Sequence, residues 1–277
     1  MTGQICQTGQ EAFLKAFHAR HPAVTTEAFA GARAADGRSS YAILRDLVAG
    51  RRRVLDLGCG DGSLLELLAA TPGRRLAGVD LSPDSLALAR RRPALSTAAL
   101  AEARAQYLPF PDDGFDACVS HLALMLMADI ERVVAELARV LVPGGLLACV
   151  TGAGGGGAGY ELLGELLPTA LERTPPARRM PTLGDRRTRH PEHLASLLTT
   201  AGFAAPDQQT VPLDLSAPPE HVWTALSGLY DFAALDTPAL TALREQFLTH
   251  ATDRTTPSGA LPCHFRVHVT TASPDRQ

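Results

Sequence analysis

The sequence predicts an α/β fold with a mostly parallel sheet. Three observations lead there. Short apolar runs alternate with helix-period segments between residues 52 and 151. The first run ends in a glycine-rich turn, and the second ends in an acidic residue followed by a helix start. Repeated βα units of this kind imply a sheet covered on both sides, with ligands at the carboxyl ends of its strands.

The elements follow in order. Residues 1–50 read as a helical cap: Ala12, Phe13, Ala16 and Phe17 form an apolar stripe, and Ser39 or Ser40 caps a helix carrying Tyr41, Ile43, Leu44 and Leu47. Val54 to Leu57 is the first strand, and Ser63 to Ala70 the first crossover helix. Leu76 to Asp80 is the second strand, followed by Ser82 as N-cap with Pro83 at N1. Phe115 to Ser120 and Leu146 to Val150 are further strands, separated by a helical face of Ile130, Val133, Val134, Leu137 and Leu141. Thr151 to Gly159, rich in glycine, reads as a flexible loop. Pro191 to Ala201 reads as a helix closed by Gly202. Val211 to Leu215 reads as an edge or irregular strand, because Pro212 has no N–H to give a ladder. A helical insertion covers about 217–252, and alternation from Cys263 to Thr270 marks a final strand.

Composition excludes several classes. With 277 residues, 45% hydrophobic and 20% charged, the chain has enough apolar mass for a sizeable core but no run long enough for a membrane span. A net charge of −3 and a single lysine, Lys15, among 26 basic residues argue against a nucleic-acid-binding protein. Cys6, Cys59, Cys118, Cys149 and Cys263 show no CxxC spacing, which argues against a disulfide framework and a zinc site. The start Met1-Thr2-Gly3-Gln4 has no basic, then apolar, leader pattern, so the cytoplasm is the expected compartment. The arginine runs Arg51 to Arg53 and Arg90 to Arg92 read as solvated helix ends. His264 and His268 lie too far apart along a strand to chelate one ion.

Val54-Leu55-Asp56-Leu57-Gly58-Cys59-Gly60-Asp61-Gly62 carries the chemistry. Its spacing is GxGxG, not the GxGxxG that places a pyrophosphate over a helix N-terminus. Asp56 at the strand end adds negative charge, which suits a cationic ligand better than a phosphate.

At these residues the sequence resembles the class I S-adenosylmethionine-dependent methyltransferases. Asp56 to Gly62 fits the family's first motif, Asp80 its ribose-binding acid, Leu108 to Asp116 its LPFpdxxFD stretch, and Arg139 to Leu147 its RvLkPGG turn. Leu194 to Phe203 resembles its late helix ending in aGF. The resemblance implies a Rossmann-like, seven-stranded, mostly parallel sheet with an N-terminal helical cap and a helical insertion near the C-terminus. It implies a cofactor half at about 51–151 and a substrate or lid half at about 152–277. It also implies methyl transfer from S-adenosyl-L-methionine to a small organic molecule, such as a specialised metabolite, without a metal, a nucleic acid or a membrane as partner.

The site residues expected on that basis are Tyr41, Asp56, Gly58, Gly60, Gly62, Asp80, Leu81, Ala105, Gln106 and Ser120 for the cofactor. Arg104 departs from the family, which often has an adenine-binding Asp there, so Ala105 and Gln106 are expected to take over that contact. His121, directly after a strand, is the candidate general base, with pocket lining as its plainer role. His18, Tyr160, Trp223 and Tyr230 are candidate substrate contacts, each with a packing role or an exposed position as the alternative. Two other functions remain open: an NAD(P)-dependent oxidoreductase, and a cofactor-binding protein without transferase activity.

Overall fold

The computed structural model describes residues 9–175 and 178–275, so Cys6 and the Met1-Thr2-Gly3-Gln4 start lie outside the described residues. Seven strands form one sheet in the order β3-β2-β1-β4-β5-β7-β6. They are β1 (Arg53–Leu57), β2 (Arg75–Asp80), β3 (Ala99–Glu102), β4 (Phe115–His121), β5 (Leu141–Gly156), β6 (Asp207–Asp214) and β7 (His264–Ala272). The first five pair in parallel, whereas β7 runs antiparallel to both β5 and β6.

Helices cover both faces because the central strands are apolar on both. On one face Leu55, Leu57, Cys118, Leu147 and Cys149 pack against α6 (Ile130–Val140) and α8 (Pro191–Thr200). On the other, Val54, Ala117, Val119, Ala148 and Val150 pack against α3 (Ser40–Leu47) and α4 (Ser63–Ala69). The start signals work as expected. Ser39 Oγ accepts from the Ala42 N–H at 3.2 Å, and Ser82 Oγ accepts from the Ser85 N–H at 3.2 Å to open α5 (Pro83–Arg90).

Two helices precede α3: α1 (Gly9–Arg20) and α2 (Val24–Phe29). In α1 the buried face is Glu11, Leu14 and Phe17, which corrects the expected stripe: Ala12 and Ala16 are exposed. Alanine offers little area to bury, and Glu11 finds an ionic partner inside. The helical insertion lies between β6 and β7, with α9 (Pro219–Leu226) and α10 (Thr237–Ala251). Pro212 sits on the edge strand β6.

The expected loop at Thr151 to Gly159 is not one. Thr151 to Gly156 continue β5, with Gly156 opposite His264, and Gly157 begins α7 (Gly157–Glu172). The glycines answer crowding. A Cβ on Gly155 would stand 2.4 Å from the Tyr160 ring, one on Gly156 2.8 Å from His264, and one on Gly157 2.9 Å from the Pro262 carbonyl oxygen. A glycine run in a strand marks close approach as readily as it marks flexibility.

α7, α9 and α10 share a core of their own. Trp223 is buried there between Phe232 at 5.5 Å and Phe247 at 5.3 Å, ring centre to ring centre. Trp223→Ala is expected to cost about 3–5 kcal/mol, the usual cost of deleting a buried aromatic side chain. Denaturant unfolding checks this, and a loss below about 1 kcal/mol would mean that the insertion does not unfold with the rest of the chain.

Candidate active site

The carboxyl ends of β1, β2 and β4 open into one cleft, which encloses about 1120 Å³ of space partly open to solvent. The turn after β1 forms its floor. Gly58, Gly60 and Gly62 adopt φ of +76°, +52° and +80°, where a side chain is strained. Their surroundings differ. A Cβ on Gly58 would stand 2.3 Å from that of Ala123, whereas one on Gly60 would meet nothing within 4 Å, so Gly60 borders open cleft. Gly62 does not line the cleft: a Cβ there would meet Leu95 at 2.7 Å and Ala89 at 2.9 Å. The expected cofactor role of Gly62 is thus corrected to packing of the turn against α5. Ser120 is corrected in the same way, since it is fully buried and donates to the Leu57 carbonyl at 2.8 Å, tying β4 to β1.

Two acids stand at the strand ends. Asp56 is 1% exposed, and neither carboxyl oxygen has a partner among the described residues. Burial first, and then the charges of Asp80 and Asp61, hold its carboxyl well above the usual carboxylate range. Asp80 accepts from the Gly60 N–H at Oδ2 and the Ser82 N–H at Oδ1, both at 2.8 Å. Burial raises its carboxyl too, against the lowering effect of those donors.

Across the floor, Tyr41 of α3 and His121 at the end of β4 stack with ring centres 4.1 Å apart. His121 Nε2 lies 2.8 Å from Ser40 Oγ, and its Nδ1 is buried with no partner among the described residues. Burial lowers the imidazole to about 3. The ring is therefore neutral over the whole range in which a histidine base normally works.

Sequence reasoning missed the cap's share of this cleft. Thr26 of α2 donates to Asp61 Oδ1 at 2.9 Å, and Arg92 grips the same turn through Asp61 Oδ2 at 2.6 Å and Ser63 Oγ at 2.7 Å. Arg92 is thus no solvated helix end, which corrects the expectation for that residue, whereas Arg90 and Arg91 are exposed at the end of α5 as expected. At the far side Leu81, Arg104, Ala105 and Gln106 line the cleft together with Glu11 of α1. The Gln106 amide donates to the Ala128 carbonyl at 2.6 Å. Residues brought together from positions this far apart leave no local motif to read.

Of the expected substrate contacts, His18 and Tyr230 line the cleft, with Nε2 and the hydroxyl oxygen 3.0 Å apart. Both feel the charge of Asp80, which sets them at its end of the cleft. Tyr160 and Trp223 do not line it. Both expectations are corrected: their rings fill the core of the insertion, which has to bury its own apolar faces. Among the described residues no group of His, Cys, Asp and Glu stands where it could hold a metal ion.

The motifs outside the cleft have structural work. Arg139 donates to the carbonyls of Phe110 at 2.8 Å and Leu108 at 3.1 Å and pairs with Glu136, which accepts from the Leu108 N–H at 2.8 Å. One arginine thereby joins the Leu108-Pro109-Phe110 stretch to the end of α6.

Residues 55–149 match the family described as a methyltransferase domain. The match covers about a third of the chain. Among curated relatives, a demethylmenaquinone methyltransferase from Thermus thermophilus is 42% identical over 99 residues, 35% of this chain and 45% of the relative. A fatty-acid O-methyltransferase from Mycolicibacterium smegmatis is 38% identical over 95 residues, 34% of this chain and 35% of the relative. The match spans less than half the length of these relatives. The crystal structure of the [4+2]-cyclase SpnF aligns over 99% of both chains at 22% identity with a TM-score of 0.61, a likeness of fold. The similarity to methyltransferase domains thus runs from β1 to the middle of β5, including Asp56, Asp80 and His121, and the helices beyond it are shared in outline with the cyclase.

The neutral state of His121 is open to measurement. Its folded value lies below the ordinary 6.5, so its contribution to stability is complete above about pH 6.5 and lost as pH falls towards 3. NMR of the His121 ring is expected to show no titration between pH 5 and 8. A midpoint near 6.5 would overturn the burial argument.

Proposed function

We propose that this chain binds S-adenosyl-L-methionine in the cleft and transfers its methyl group to a small, uncharged organic acceptor, leaving S-adenosyl-L-homocysteine. The observation that carries this reading is Asp56, a buried carboxyl with no partner among the described residues, at the strand end where a cationic ligand would lie. A buried acceptor without a donor is costly, and an ammonium group answers it. The ribose hydroxyls go to Asp80, whose oxygens each keep a lone pair beyond the N–H they accept. Gly58 and Gly60 bring the backbone close, and Leu81 and Ala105 supply apolar walls for the base.

Bound S-adenosyl-L-methionine supplies an electrophilic methyl on a sulfonium. The chain's part is orientation and exclusion of water. Tyr41 and His121 close the floor beside Asp56. We assign His121 to shaping that floor as a neutral ring, because a group that protonates only near pH 3 is a poor acceptor of a proton from substrate. His18 and Tyr230 belong with the cofactor's ribose, beside Asp80.

The acceptor's class follows from the charges lining the cleft. Lys15 is paired with Glu102 and Arg104 with Glu11, so neither is free to receive an anionic acceptor, whereas Leu122, Ala123, Leu126 and Met127 give an apolar wall. The demethylmenaquinone in one relative's name is apolar as well. A tailoring step on a specialised metabolite, with the cap and the 217–252 insertion as lid, is our finer reading. Four buried free thiols suit a cytoplasmic setting. An NAD(P) enzyme fits poorly: Asp56, Asp61 and Asp80 surround the turn where a pyrophosphate would sit, and Gly62 is taken up by packing. Because the same fold also serves a [4+2]-cyclase, a second reading is kept, in which the cofactor is bound and left unspent.

Mass spectrometry separates the two: transfer gives S-adenosyl-L-homocysteine and an acceptor heavier by one methyl, whereas the second reading leaves the cofactor intact. Asp80→Ala is expected to weaken cofactor binding more than tenfold, and calorimetry showing unchanged affinity would sink the assignment. A cation beside Asp56 must lower its raised value, so binding is expected to release protons. Titration in buffers of different ionisation enthalpy measures that release, and none would place the cation elsewhere.

A further inference from the structure

The cleft holds a second carboxylate with an unused oxygen. Glu11 of α1 is 5% exposed and lines the cleft. Arg104 reaches it with two donors, Nε at 2.9 Å and Nη2 at 2.6 Å, and both converge on the same oxygen, Oε1. A fork-to-fork pair would place one donor on each oxygen. Here Oε2 is left buried with no hydrogen-bond partner among the described residues. Buried acceptors are nearly always satisfied, so this one implies a donor that arrives from elsewhere.

The sheet order says which donor that is. β2 stands between β1 and β3, and Asp80 is in register with Glu102. Residues 103–106 therefore lie across β2 from β1. A ligand with its ammonium at Asp56 and its ribose at Asp80 carries its base onward in that direction, to the end lined by Glu11, Arg104, Ala105 and Gln106. Two other polar groups there are engaged: the Gln106 amide nitrogen donates to the Ala128 carbonyl, and the Gln106 backbone carbonyl accepts from Arg132 Nε at 3.1 Å. α1 is fixed over this end by a second pair one turn on, Lys15 with Glu102 at 2.9 Å. Adenine carries an exocyclic amino group whose N–H donors match an orphan carboxylate oxygen.

We propose that Glu11 Oε2 accepts a hydrogen bond from the adenine amino group, so that the cap helix α1 reads the base of the cofactor. This rests on the S-adenosyl-L-methionine reading of the cleft. It assigns Arg104 a positioning role: the guanidinium holds the carboxyl group turned so that one oxygen faces the base. It also gives the cap a reason to order on the cofactor, since its carboxylate is satisfied only when the base is present.

The test is calorimetric titration of the full chain with S-adenosyl-L-homocysteine and with its inosine counterpart, which carries a 6-oxo group in place of the amine. The unsubstituted protein is expected to bind the adenine ligand at least tenfold more tightly. Glu11→Gln is expected to abolish that preference, because the amide presents an N–H₂ to the 6-oxo group. The ratio of two affinities is insensitive to a general loosening of α1, which lowers both alike. Should Glu11→Gln fold poorly, the double variant Glu11→Gln/Arg104→Gln removes the charge pair together and is expected to lose the preference too. Asp80→Asn is expected to weaken both ligands and leave the ratio unchanged. Retention of the full preference in the Glu11 variants overturns the assignment while the cofactor reading stands. Failure of the unsubstituted protein to bind the adenine ligand overturns the cofactor reading and this inference with it.

Discussion

A carboxyl group buried at the end of a central strand is the constraint around which this molecule is arranged. Asp56 takes its place in β1 between Leu55 and Leu57, both fully buried, and is itself only 1% exposed, at the cleft. An ionised carboxylate in such a place is held at a cost that only a counter-charge or several donors offset. The protein provides neither: both oxygens are unpartnered among the described residues, and Asp80 and Asp61 add repulsion. Three acids converge on one turn whose glycines keep side chains out. The site is thereby unfavourable to anions and receptive to a cation before any ligand arrives.

The cap completes what the sheet begins. It is fastened to the cofactor half by polar contacts of long sequence separation: Thr26 to Asp61, Glu11 to Arg104, Lys15 to Glu102, and Ser85 Oγ to the Pro22 carbonyl at 3.1 Å. These contacts of the segment from α1 to α2 involve ionic or hydroxyl groups, whereas α3 packs an apolar face on the sheet. Exposed pairs of this sort contribute little to stability, so the buried one, Glu11 with Arg104, decides how α1 sits. On the proposed reading, helices held at a few polar points can open for a ligand of nucleoside size without unfolding the core beneath.

Much of the sheet was legible in the sequence because the central strands are apolar runs closed by turn signals. The exceptions share a cause. β3 is a four-residue edge strand, Ala99-Leu100-Ala101-Glu102, with no β-branched residue to mark it. The glycine run at 152–157 looks like a linker by composition, yet it pairs with β7, and its lack of side chains answers close neighbours. Site residues divide along the same line. Asp56, Gly58, Gly60 and Asp80 stand at strand ends that periodicity locates, so they could be named. Glu11 and Thr26 come from helices whose docking depends on partners 93 and 35 residues away, and no local pattern encodes that. Trp223 and Tyr160 misled for the converse reason: aromatic residues in a variable helical region suit a substrate wall, but an insertion with its own core needs them inside.

The neutral His121 bears on how such a site can accelerate methyl transfer. A well-placed base adds about 10²–10⁴-fold, whereas holding two reactants as near-attack conformers is worth up to about 7–11 kcal/mol, or 10⁵–10⁸-fold. The fold has placed its constraints on the second effect. His121 is stacked on Tyr41 and joined to Ser40, and Tyr41 is in turn within 3.4 Å of the Thr26 hydroxyl that fastens α2 to the glycine turn. A ring fixed at one face and one nitrogen has little freedom to follow a moving proton, but on the proposed reading it makes a rigid floor under the acceptor. On the proposed reading, the packing that makes His121 a poor base also keeps water, the competing acceptor, away from that side of the bound methyl group.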